Sequence, residues 1–455
     1  MLRTGLVLFA IAVAGCGESP PPRLLLLITV DTLRADHLGA YGDDRGMTPE
    51  LDAWAARSVV FRSAYAASSF TLPSVAALMT GRHPEALGLW NNESRIPESV
   101  PTLAAVLRAK GWRTAAVVSN WVLRESTGIG RGFDVFDDEF PDQEATRGWP
   151  ERLAPDTTDA ALATLDACTG VDARCFLWVH YQDPHGPYTP SDARRERWLA
   201  SERLRDGGAQ ILEWSRNDAG TGGIPRYQVL YARRDVAFYR AGYAGEVNSM
   251  DAEVGRLLAG VEARGLTDRA VLAFTADHGE SLGEDDLWFA HGELLSEPII
   301  RVPLFVSAGS LTPDVRDDIV SGVDLFPTLA RLATGQAAAP AGEAPPGRDV
   351  FGPDAARQSS VPFLSSLGGS SVPRYAIVDG DYKLVVSDPA GSGDAALSHR
   401  GSDAPVSTLD AREIAASLRE RLDAQRASLR RLAPERQELT DQDLEHLRSL
   451  GYATE

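Results

Sequence analysis

The stretch that decides the fold is LLLLITVDTLRADHLGAYG, residues Leu24–Gly42, in which seven apolar or β-branched residues are followed by an aspartate, Asp31. A continuous apolar run of this length is typical of a strand buried on both faces of a parallel sheet. A carboxylate at the end of such a strand is costly unless a cation meets it. The stretch therefore predicts a buried strand that ends at a charged site.

Short apolar runs recur along the chain, with helix-like spacing between them. They predict strands at Leu24–Val30, Thr114–Val118, Phe176–Val179, Ala270–Thr275 and Leu304–Val306. Segments such as Ser99–Lys110 and Tyr243–Arg264 carry the spacing of helices. The alternation favours an α/β fold with a mainly parallel sheet, in which sites form at the carboxyl ends of strands. Asp31, His180 and Asp277 each stand at such an end.

The charge balance limits the partners that this chain can bind. Its 455 residues include 64 acidic and 45 basic side chains, which gives a formal net charge of −19. Proteins that bind nucleic acid need a basic face, so no nucleic-acid partner is expected. An anionic substrate remains compatible with this charge, because a bound metal ion reverses the sign of the local field.

The first residues, MLRTGLVLFAIAVAGCGESPPP, predict export. Residues 1–15 read as a signal peptide, whose apolar run Leu6–Ala14 is too short to span a bilayer as a mature helix. The residues before Cys16 resemble the lipobox of bacterial lipoproteins, which implies lipidation of Cys16 and a tether over 16–23. Gly17 then favours the periplasmic face of the outer membrane or the cell surface, with the lipid as the only membrane contact. The alternative is an ordinary secretory signal in which Cys16 is incidental.

Two further cysteines lie close together in LDACTGVDARCFLW. Cys168 and Cys175 are seven positions apart, and in an oxidising compartment they predict a local disulfide. A metal site of the CxxC type would need closer pairs and more of them.

Three stretches carry residues that together suit a metal-assisted nucleophile. In SSFTLPSVAALMTGRHP, Thr71 stands where a helix N-cap is expected and Pro73 falls in the first turn. Asp277 and His278 follow a second buried strand. Together with Asp31 they supply mixed oxygen and nitrogen ligands for one Ca, Mn or Zn ion. A hydroxyl beside that ion at a helix N-terminus becomes a usable nucleophile. The alternative is that Thr71 only caps the helix.

The order VDTLRADHLGAYG, TLPSVAALMTGR, DPHGPY and TADHGESLGE resembles the sulfatase family of the alkaline phosphatase superfamily, over Leu24–Ala333. The resemblance implies an alkaline-phosphatase-like α/β sandwich, with a large, mainly parallel central sheet and a small C-terminal α+β subdomain. It implies Thr71 as nucleophile and His185 and His291 at the substrate anion or leaving oxygen, with Asn92 as a further substrate contact. The metal ligands that it implies are Asp31, Thr71, Asp277 and His278.

The sequence also departs from the sulfatase pattern. Sulfatases oxidise a cysteine or serine to formylglycine where this chain has Thr71, whose methyl group would allow only a ketone, so no formylglycine is expected. Val75 stands where the signature has an arginine, and Thr32 where it has a second aspartate. The second signature aligns with AVVSNW and lacks its lysine and histidine.

The chain divides into a catalytic domain at 24–335, a linker with a small sheet subdomain at 336–410, and a helical tail at 411–455. SVPRYAIVDGDYKLVV, around Asp379-Gly380, predicts a hairpin of that small sheet. Ser191–Arg240 reads as a largely helical surface excursion that belongs to a substrate lid. Glu280 and the three acidic residues at 284–286 read as a solvated loop or as indirect support for the metal.

These features predict a metal-dependent hydrolase of sulfate or phosphate esters of a small molecule or a glycan. A threonine nucleophile favours phosphodiester or phosphonate substrates over sulfates. The missing arginine, lysine and histidine leave open a protein that has lost catalysis and only binds. A periplasmic transferase of phospho-groups is a further alternative, and the sequence leaves the oligomeric state open.

Overall fold

A computed structural model describes residues 21–146, 148–170, 173–205, 210–215, 220–292, 294–336, 347–352, 361–365, 373–387 and 395–449. The predicted signal peptide, Cys16 and most of the linker that begins at residue 336 lie outside the described residues. Of the helices described, none combines the length and the apolar character needed to cross a membrane.

The bounds of the strands and helices are as follows. The strands are β1 Leu24–Val30, β2 Val59–Tyr65, β3 Ser94–Arg95, β4 Arg113–Val118, β5 Val135–Asp137, β6 Asp142–Gln143, β7 Pro150–Glu151, β8 Cys175–Tyr181, β9 Ala270–Ala276, β10 Ser281–Leu282, β11 Trp288–Ala290, β12 Arg301–Val302, β13 Leu304–Ala308, β14 Asp314–Ser321, β15 Val361–Ser365, β16 Arg374–Asp379, β17 Tyr382–Ser387, β18 Ala395–His399 and β19 Glu435–Arg436. The helices are α1 Pro49–Ala55, α2 Thr71–Thr80, α3 Pro84–Leu87, α4 Leu103–Ala109, α5 Ala154–Asp166, α6 Asp192–Arg205, α7 Val236–Ala263, α8 Glu297–Ile300, α9 Leu325–Thr334, α10 Ala411–Ser428 and α11 Asp441–Ser449.

The central sheet has nine strands in the order β12-β2-β13-β9-β1-β8-β4-β5, with β14 paired to β2. The predicted strand β1 lies in the middle and pairs in parallel with both β8 and β9. All seven of its residues are buried. Because side chains alternate between the two faces of a sheet, both faces of β1 must be covered. The mainly parallel α/β sheet predicted from the sequence is therefore confirmed, with β12 and β13 as antiparallel members.

A second, smaller sheet lies in the C-terminal part of the chain. Strands β15 to β18 form a four-stranded antiparallel sheet, and residues of α10 pack against it through an apolar cluster that includes Leu418 and Leu422. The predicted hairpin is formed by β16 and β17, with Gly380 at a positive φ of 56° in the turn, where a residue without a side chain is favoured. Lys383 of β17 is buried and reaches the catalytic domain, where its Nζ lies 3.3 Å from Glu297 Oε1.

The excursion over 191–240 is less helical than predicted. Within its described residues, α6 ends at Arg205 and the next α-helix begins at Val236. The glycine pair Gly222-Gly223 and Pro225 in the intervening segment disfavour helix. Cys168 and Cys175 form a disulfide with a Cα–Cα distance of 5.6 Å, which ties the segment after α5 to the first residue of β8.

Candidate active site

The carboxyl ends of β1 and β9 bring three of the predicted metal ligands together. The parallel register pairs Val30 with Ala276, so the next residue of each strand, Asp31 and Asp277, lies at the same edge of the sheet. His278 follows directly, and all three side chains are buried. Their ligand atoms lie within 4.8 Å of one another.

The donor atoms of this cluster suit a cation. His278 Nε2 lies 3.9 Å from Asp31 Oδ1 and 3.5 Å from Asp277 Oδ2. His278 Nδ1 lies 3.0 Å from the carbonyl oxygen of Gly279, a contact in which Nδ1 donates and Nε2 keeps its lone pair. Asp31 Oδ1 and Asp277 Oδ2 have no hydrogen-bond partner among the described residues. Buried carboxylate oxygens without partners are rare, and a cation would satisfy both of them.

The pKa values of the two aspartates reflect the same arrangement. Burial raises the pKa of Asp31, but the nearby His185, His180 and His278 outweigh burial and hold it below its ordinary value. Burial raises the pKa of Asp277 well above its ordinary value, and the charge of Asp31 raises it further. Two buried carboxyl groups that oppose each other's ionisation are relieved when a divalent cation binds between them.

Thr71 is placed against this cluster by the start of helix α2. The sequence predicted Thr71 at the N-cap, but Thr71 is the first helical residue and the N-cap is Phe70. Assigned helix ends commonly differ by one residue. The Oγ1 of Thr71 lies 3.3 Å from His278 Nε2. Thr71 is fully buried, and the positive end of the helix dipole favours negative charge at this oxygen.

Asn92, predicted as a substrate contact, lies at the same helix end. Its Oδ1 accepts a hydrogen bond of 2.9 Å from the backbone N–H of Leu72. Its Nδ2 is buried and has no partner among the described residues. Asn92 therefore holds the N-terminus of α2 with one atom and keeps a donor for another group.

A chain of histidines extends from the cluster. The ring of His291 lies 4.4 Å from that of His278 and 5.3 Å from that of His185, measured between centroids. Burial lowers the pKa of His185, although Asp31 raises it. Burial also lowers the pKa of His291 well below its ordinary value, and His278 lowers it further. An anionic substrate beside these rings would favour their charged forms.

For Glu280 the sequence left open a solvated loop or indirect support for the metal, and the solvated loop is wrong. The side chain is fully buried, with Oε1 3.0 Å from His291 Nδ1 and Oε2 accepting a hydrogen bond from the Tyr188 hydroxyl. Burial raises the pKa of Glu280 to about 7. The chain folds Glu280 inward after β9, whereas Glu284 pairs with Arg34. Glu280 therefore orients His291, which the sequence pattern did not reveal.

His185 is held by backbone and by the excursion. Its Nδ1 lies 2.8 Å from the carbonyl oxygen of Gly186, and its ring stacks on Tyr227 at 6.2 Å between centroids. Tyr227 belongs to the segment 191–240, so part of that segment lines the site.

Two residues that contact Asp31 were not predicted as site residues. The Nδ2 of Asn120 donates a hydrogen bond to Asp31 Oδ2, and His180 Nε2 lies 3.8 Å from the same oxygen. Nδ1 of His180 lies 2.8 Å from the hydroxyl oxygen of Thr29, which fixes the ring orientation beside Asp31. Asn120 follows the end of β4 as Asp31 follows β1, and this position is the signal that would have revealed it.

Comparisons with known proteins agree with the geometry. The family model described as Sulfatase matches residues 23–335. Human iduronate 2-sulfatase is 27% identical over 411 residues, which covers 73% of this chain and 74% of that protein.

Two solved structures illustrate the shared fold. Phosphonate monoester hydrolase from Silicibacter pomeroyi superposes with a TM-score of 0.65 at 19% identity, covering 88% of this chain and 94% of the other. A structure in complex with its substrate D-glucosamine-2-N,6-O-disulfate gives a TM-score of 0.70 at 16% identity, covering 90% and 98%. At these identities the likeness concerns the fold.

Proposed function

This chain belongs to the sulfatase family, and we propose that it hydrolyses sulfate or phosphate esters by attack of Thr71 on the sulfur or phosphorus centre. The observation that carries the proposal is the 3.3 Å contact between Thr71 Oγ1 and His278 Nε2. It places a hydroxyl at the positive end of a helix, beside two buried carboxylate oxygens that have no hydrogen-bond partner in the part of the chain that the structure describes.

Asp31, Asp277 and His278 would hold one divalent cation, Ca, Mn or Zn, with Thr71 at its edge. Such a cation supplies positive charge that makes a hydroxyl easier to ionise and offsets the charge of an anionic ester. Asn120 would fix the carboxylate of Asp31, because it donates to the Oδ2 atom and leaves Oδ1 turned to the cluster.

The chain's own residues account for the remaining steps. Thr71 Oγ1 loses its proton to solvent and forms a bond to the sulfur or phosphorus atom while the bond to the leaving oxygen breaks. His185 or His291, in its charged form, gives a proton to that oxygen. The neutral histidine then takes a proton from the water that cleaves the ester on Thr71, which releases sulfate from a sulfate ester, a phosphate monoester from a phosphodiester, or a phosphonate from a phosphonate ester. Glu280 keeps the ring of His291 oriented for this transfer.

A threonine nucleophile favours phosphorus substrates, because it attacks directly and cannot become formylglycine. The phosphonate monoester hydrolase that superposes on this chain supports this preference, since its name assigns phosphonate monoesters to that protein. The complex with a disulfated glucosamine concerns a sugar ester in the same fold. A small-molecule or glycan ester is therefore the proposed substrate class.

The direct test is hydrolysis of para-nitrophenyl sulfate, para-nitrophenyl phosphate, bis(para-nitrophenyl) phosphate and para-nitrophenyl phenylphosphonate, with metal content measured on the same sample. Thr71→Ala is expected to lower the rate on the best ester by about a thousandfold or more. Thr80→Ala is the matched control, since Thr80 is a buried threonine of the same helix whose hydroxyl bonds to Ala76 O. Full activity of Thr71→Ala would contradict the mechanism.

A binding protein without catalysis is the second candidate. Val75 is fully buried at the position where the sulfatase signature has an arginine, so no cation meets the substrate from that position. Stoichiometric metal together with tight ester binding and no turnover of any of the four esters would favour this candidate.

We also propose that Cys16 carries a lipid and that the chain is exported to the outer membrane or the cell surface. The support is the sequence pattern at residues 1–23. Metabolic labelling with palmitate should mark the wild-type chain and not Cys16→Ser. Equal labelling of both would contradict the proposal.

A further inference from the structure

The sheet edge opposite the active site carries a row of arginines. The neighbouring strands β9, β1, β8 and β4 begin at or directly after Arg269, Arg23, Arg174 and Arg113, in that spatial order. The register is continuous, because Leu24 pairs with both Ala270 and Cys175, and Arg113 also pairs with Cys175. Strands lie about 4.8 Å apart, so the four guanidinium-bearing positions span about 15 Å. We call these four residues the arginine edge.

The arginine edge is held by backbone carbonyls. Arg23 bonds to the carbonyls of Ala173 and Gly170, Arg113 to Ala167, Arg174 to Lys110 and Arg269 to Pro21. Within the described part of the chain, none of the four forms an ion pair with a carboxylate. Carbonyl oxygens orient a guanidinium group and do not neutralise its charge, so the edge keeps a local positive charge.

This charge contrasts with its surroundings. The chain as a whole has a formal net charge of −19. Two arginines close to this end of the molecule are paired, Arg264 with Asp166 and Arg331 with Asp349. Arg174 and Arg269 of the edge also line a cavity of about 360 Å³, where Asp268 is the acidic residue. The negative charge of Asp268 does not offset the positive charges of the arginines that line this cavity.

The cavity also contains Pro21 and Pro22, the first residues that the structure describes. Cys16 precedes Arg23 by seven residues in the sequence. A fully extended chain of that length spans at most about 25 Å. A lipid on Cys16 would therefore hold the arginine edge close to the bilayer, at a distance where attraction between opposite charges is strong at low salt.

We propose that the arginine edge binds the phosphate head groups of acidic membrane lipids and turns the active site away from the bilayer. The seven residues of β1 span about 23 Å between Arg23 and Asp31. Substrate then reaches the site from the aqueous side, which selects a soluble ester over a membrane lipid. The orientation rests on the proposed lipidation of Cys16, but binding by the arginine edge is measured without it.

The test uses the chain from residue 16 onward with Cys16→Ser, which retains every described residue and carries no lipid. It is sedimented with vesicles of equal parts phosphatidylcholine and phosphatidylglycerol, and with vesicles of phosphatidylcholine alone. Binding to the acidic vesicles is expected at low salt, with release at roughly 0.5 M salt and no binding to the neutral vesicles.

Arg113→Gln/Arg174→Gln should weaken partitioning to acidic vesicles about tenfold or more. These two positions are exposed, and the variant should keep the wild-type rate on the best para-nitrophenyl ester. Arg203→Gln/Arg412→Gln is the control for charge, because it removes two exposed arginines from α6 and α10. The control should bind vesicles as the wild type does.

Three results would overturn the proposal. The first is that Arg113→Gln/Arg174→Gln binds acidic vesicles as well as the wild type does. The second is that the wild type binds neutral and acidic vesicles equally. The third is that added inorganic phosphate, at constant ionic strength, displaces the wild type from acidic vesicles. The last would show a site for a free anion. Vesicle binding is read without hydrolysis, so a wild type that hydrolyses none of the four esters would contradict the proposed function alone.

Discussion

At the residue scale, Thr71 and Thr80 show how position gives one hydroxyl a chemical role. Both are buried threonines of helix α2. The hydroxyl of Thr80 bonds to the carbonyl of Ala76 one turn earlier, a contact that uses its proton inside the helix. Thr71 at the first turn faces His278 Nε2. The two threonines therefore differ in position and not in residue type, because Thr71 lies at the helix N-terminus beside the carboxylates.

Removal of the metal should destabilise the protein. Chelation leaves Asp31 and Asp277 as two opposed buried carboxyl groups, so the melting temperature of the wild type should fall and recover when a divalent ion is restored. A free metal concentration of about 100 to 1,000 times the dissociation constant should raise the free energy of unfolding by about 3 to 4 kcal/mol.

Asp277→Asn removes one of the two opposed charges. Its metal-free form should melt above the metal-free wild type and gain no stability from added metal. Asp268→Asn, at the opposite edge of the sheet, should respond to metal as the wild type does. If the melting temperature of the wild type changes neither on chelation nor when a divalent ion is restored, the result would contradict the cation site.

Asp183 and Glu246 form a second buried carboxyl pair. Burial raises the pKa of both groups, and the charge of Asp183 raises that of Glu246 further. A carboxyl group with a raised folded-state pKa keeps a proton that the unfolded chain loses. The free energy of unfolding therefore falls as the pH rises from the ordinary carboxyl range through the raised values.

Glu246→Gln should reduce the decrease in the free energy of unfolding between about pH 5 and about pH 8, which urea unfolding measures. Glutamine can still accept from the Thr189 N–H, which donates to Glu246 Oε1 at 2.6 Å, and it can donate to Asp183. Glu262→Gln, at an exposed position of the same helix, should keep the wild-type slope. An unchanged slope in Glu246→Gln would argue against a shared proton.

At the element scale, strands with continuous apolar sequence were predictable, and strands of mixed character were not. β1 and β9 lie within one residue of their predicted bounds. β2 and β14 were missed, because Arg62 interrupts β2 and most residues of β14 are at least partly exposed. The structure of such strands depends on neighbours that are distant in sequence, which a local pattern does not encode.

The residues of the candidate site also divide into those that the sequence predicts and those that it does not. The residues directly after β1 and β9 were predictable, because parallel strands end at a common edge. For Glu280 the sequence left a solvated loop and a supporting role open, and only the fold, which places it beside His291 and Tyr188, decides between them. Asn120 follows a strand end as Asp31 does, but its contact with Asp31 depends on the strand order, in which β8 separates β4 from β1.

The disulfide between Cys168 and Cys175 is a feature of one connection, between α5 and β8. The sequence separation of seven residues closes a short loop, and the loop-entropy model gives a stabilisation of about 2.5 kcal/mol for that length. Cys168→Ala/Cys175→Ala should lose about this amount in urea unfolding, with ester hydrolysis unchanged. Reduction of the wild type should give a similar loss, and an unaltered stability in both would contradict the estimate.

At the scale of the whole molecule, the sheet separates two charged edges. The carboxyl ends of β1 and β9 carry the proposed metal ligands Asp31 and Asp277, and the amino ends of these strands carry Arg23 and Arg269. The small C-terminal sheet is joined to the catalytic domain by a buried ion network. Lys383 Nζ lies 2.5 Å from Asp403 Oδ1 and 3.3 Å from Glu297 Oε1.

Lys383→Met should therefore weaken the attachment of the small C-terminal sheet to the catalytic domain. It leaves Glu297 buried without its cation, and loss of one partner of a buried pair costs about 3 to 5 kcal/mol. Urea unfolding measures the loss, and Lys383→Met/Glu297→Gln should recover part of it. Lys110→Met, whose lysine bonds to Gln336, is the control and should stay close to wild type. Equal stability of Lys383→Met and wild type would contradict a role for the network.

The central claim is that Thr71 is the nucleophile. The most direct measurement is rapid acid quenching of the enzyme during turnover of bis(para-nitrophenyl) phosphate, followed by peptide mass spectrometry. With Thr71 as the nucleophile, a para-nitrophenyl phosphoryl group should appear on Thr71 during turnover, and it should be absent without substrate and absent from Thr71→Ala. Turnover that proceeds while Thr71 stays unmodified and another residue carries the phosphoryl group would contradict it.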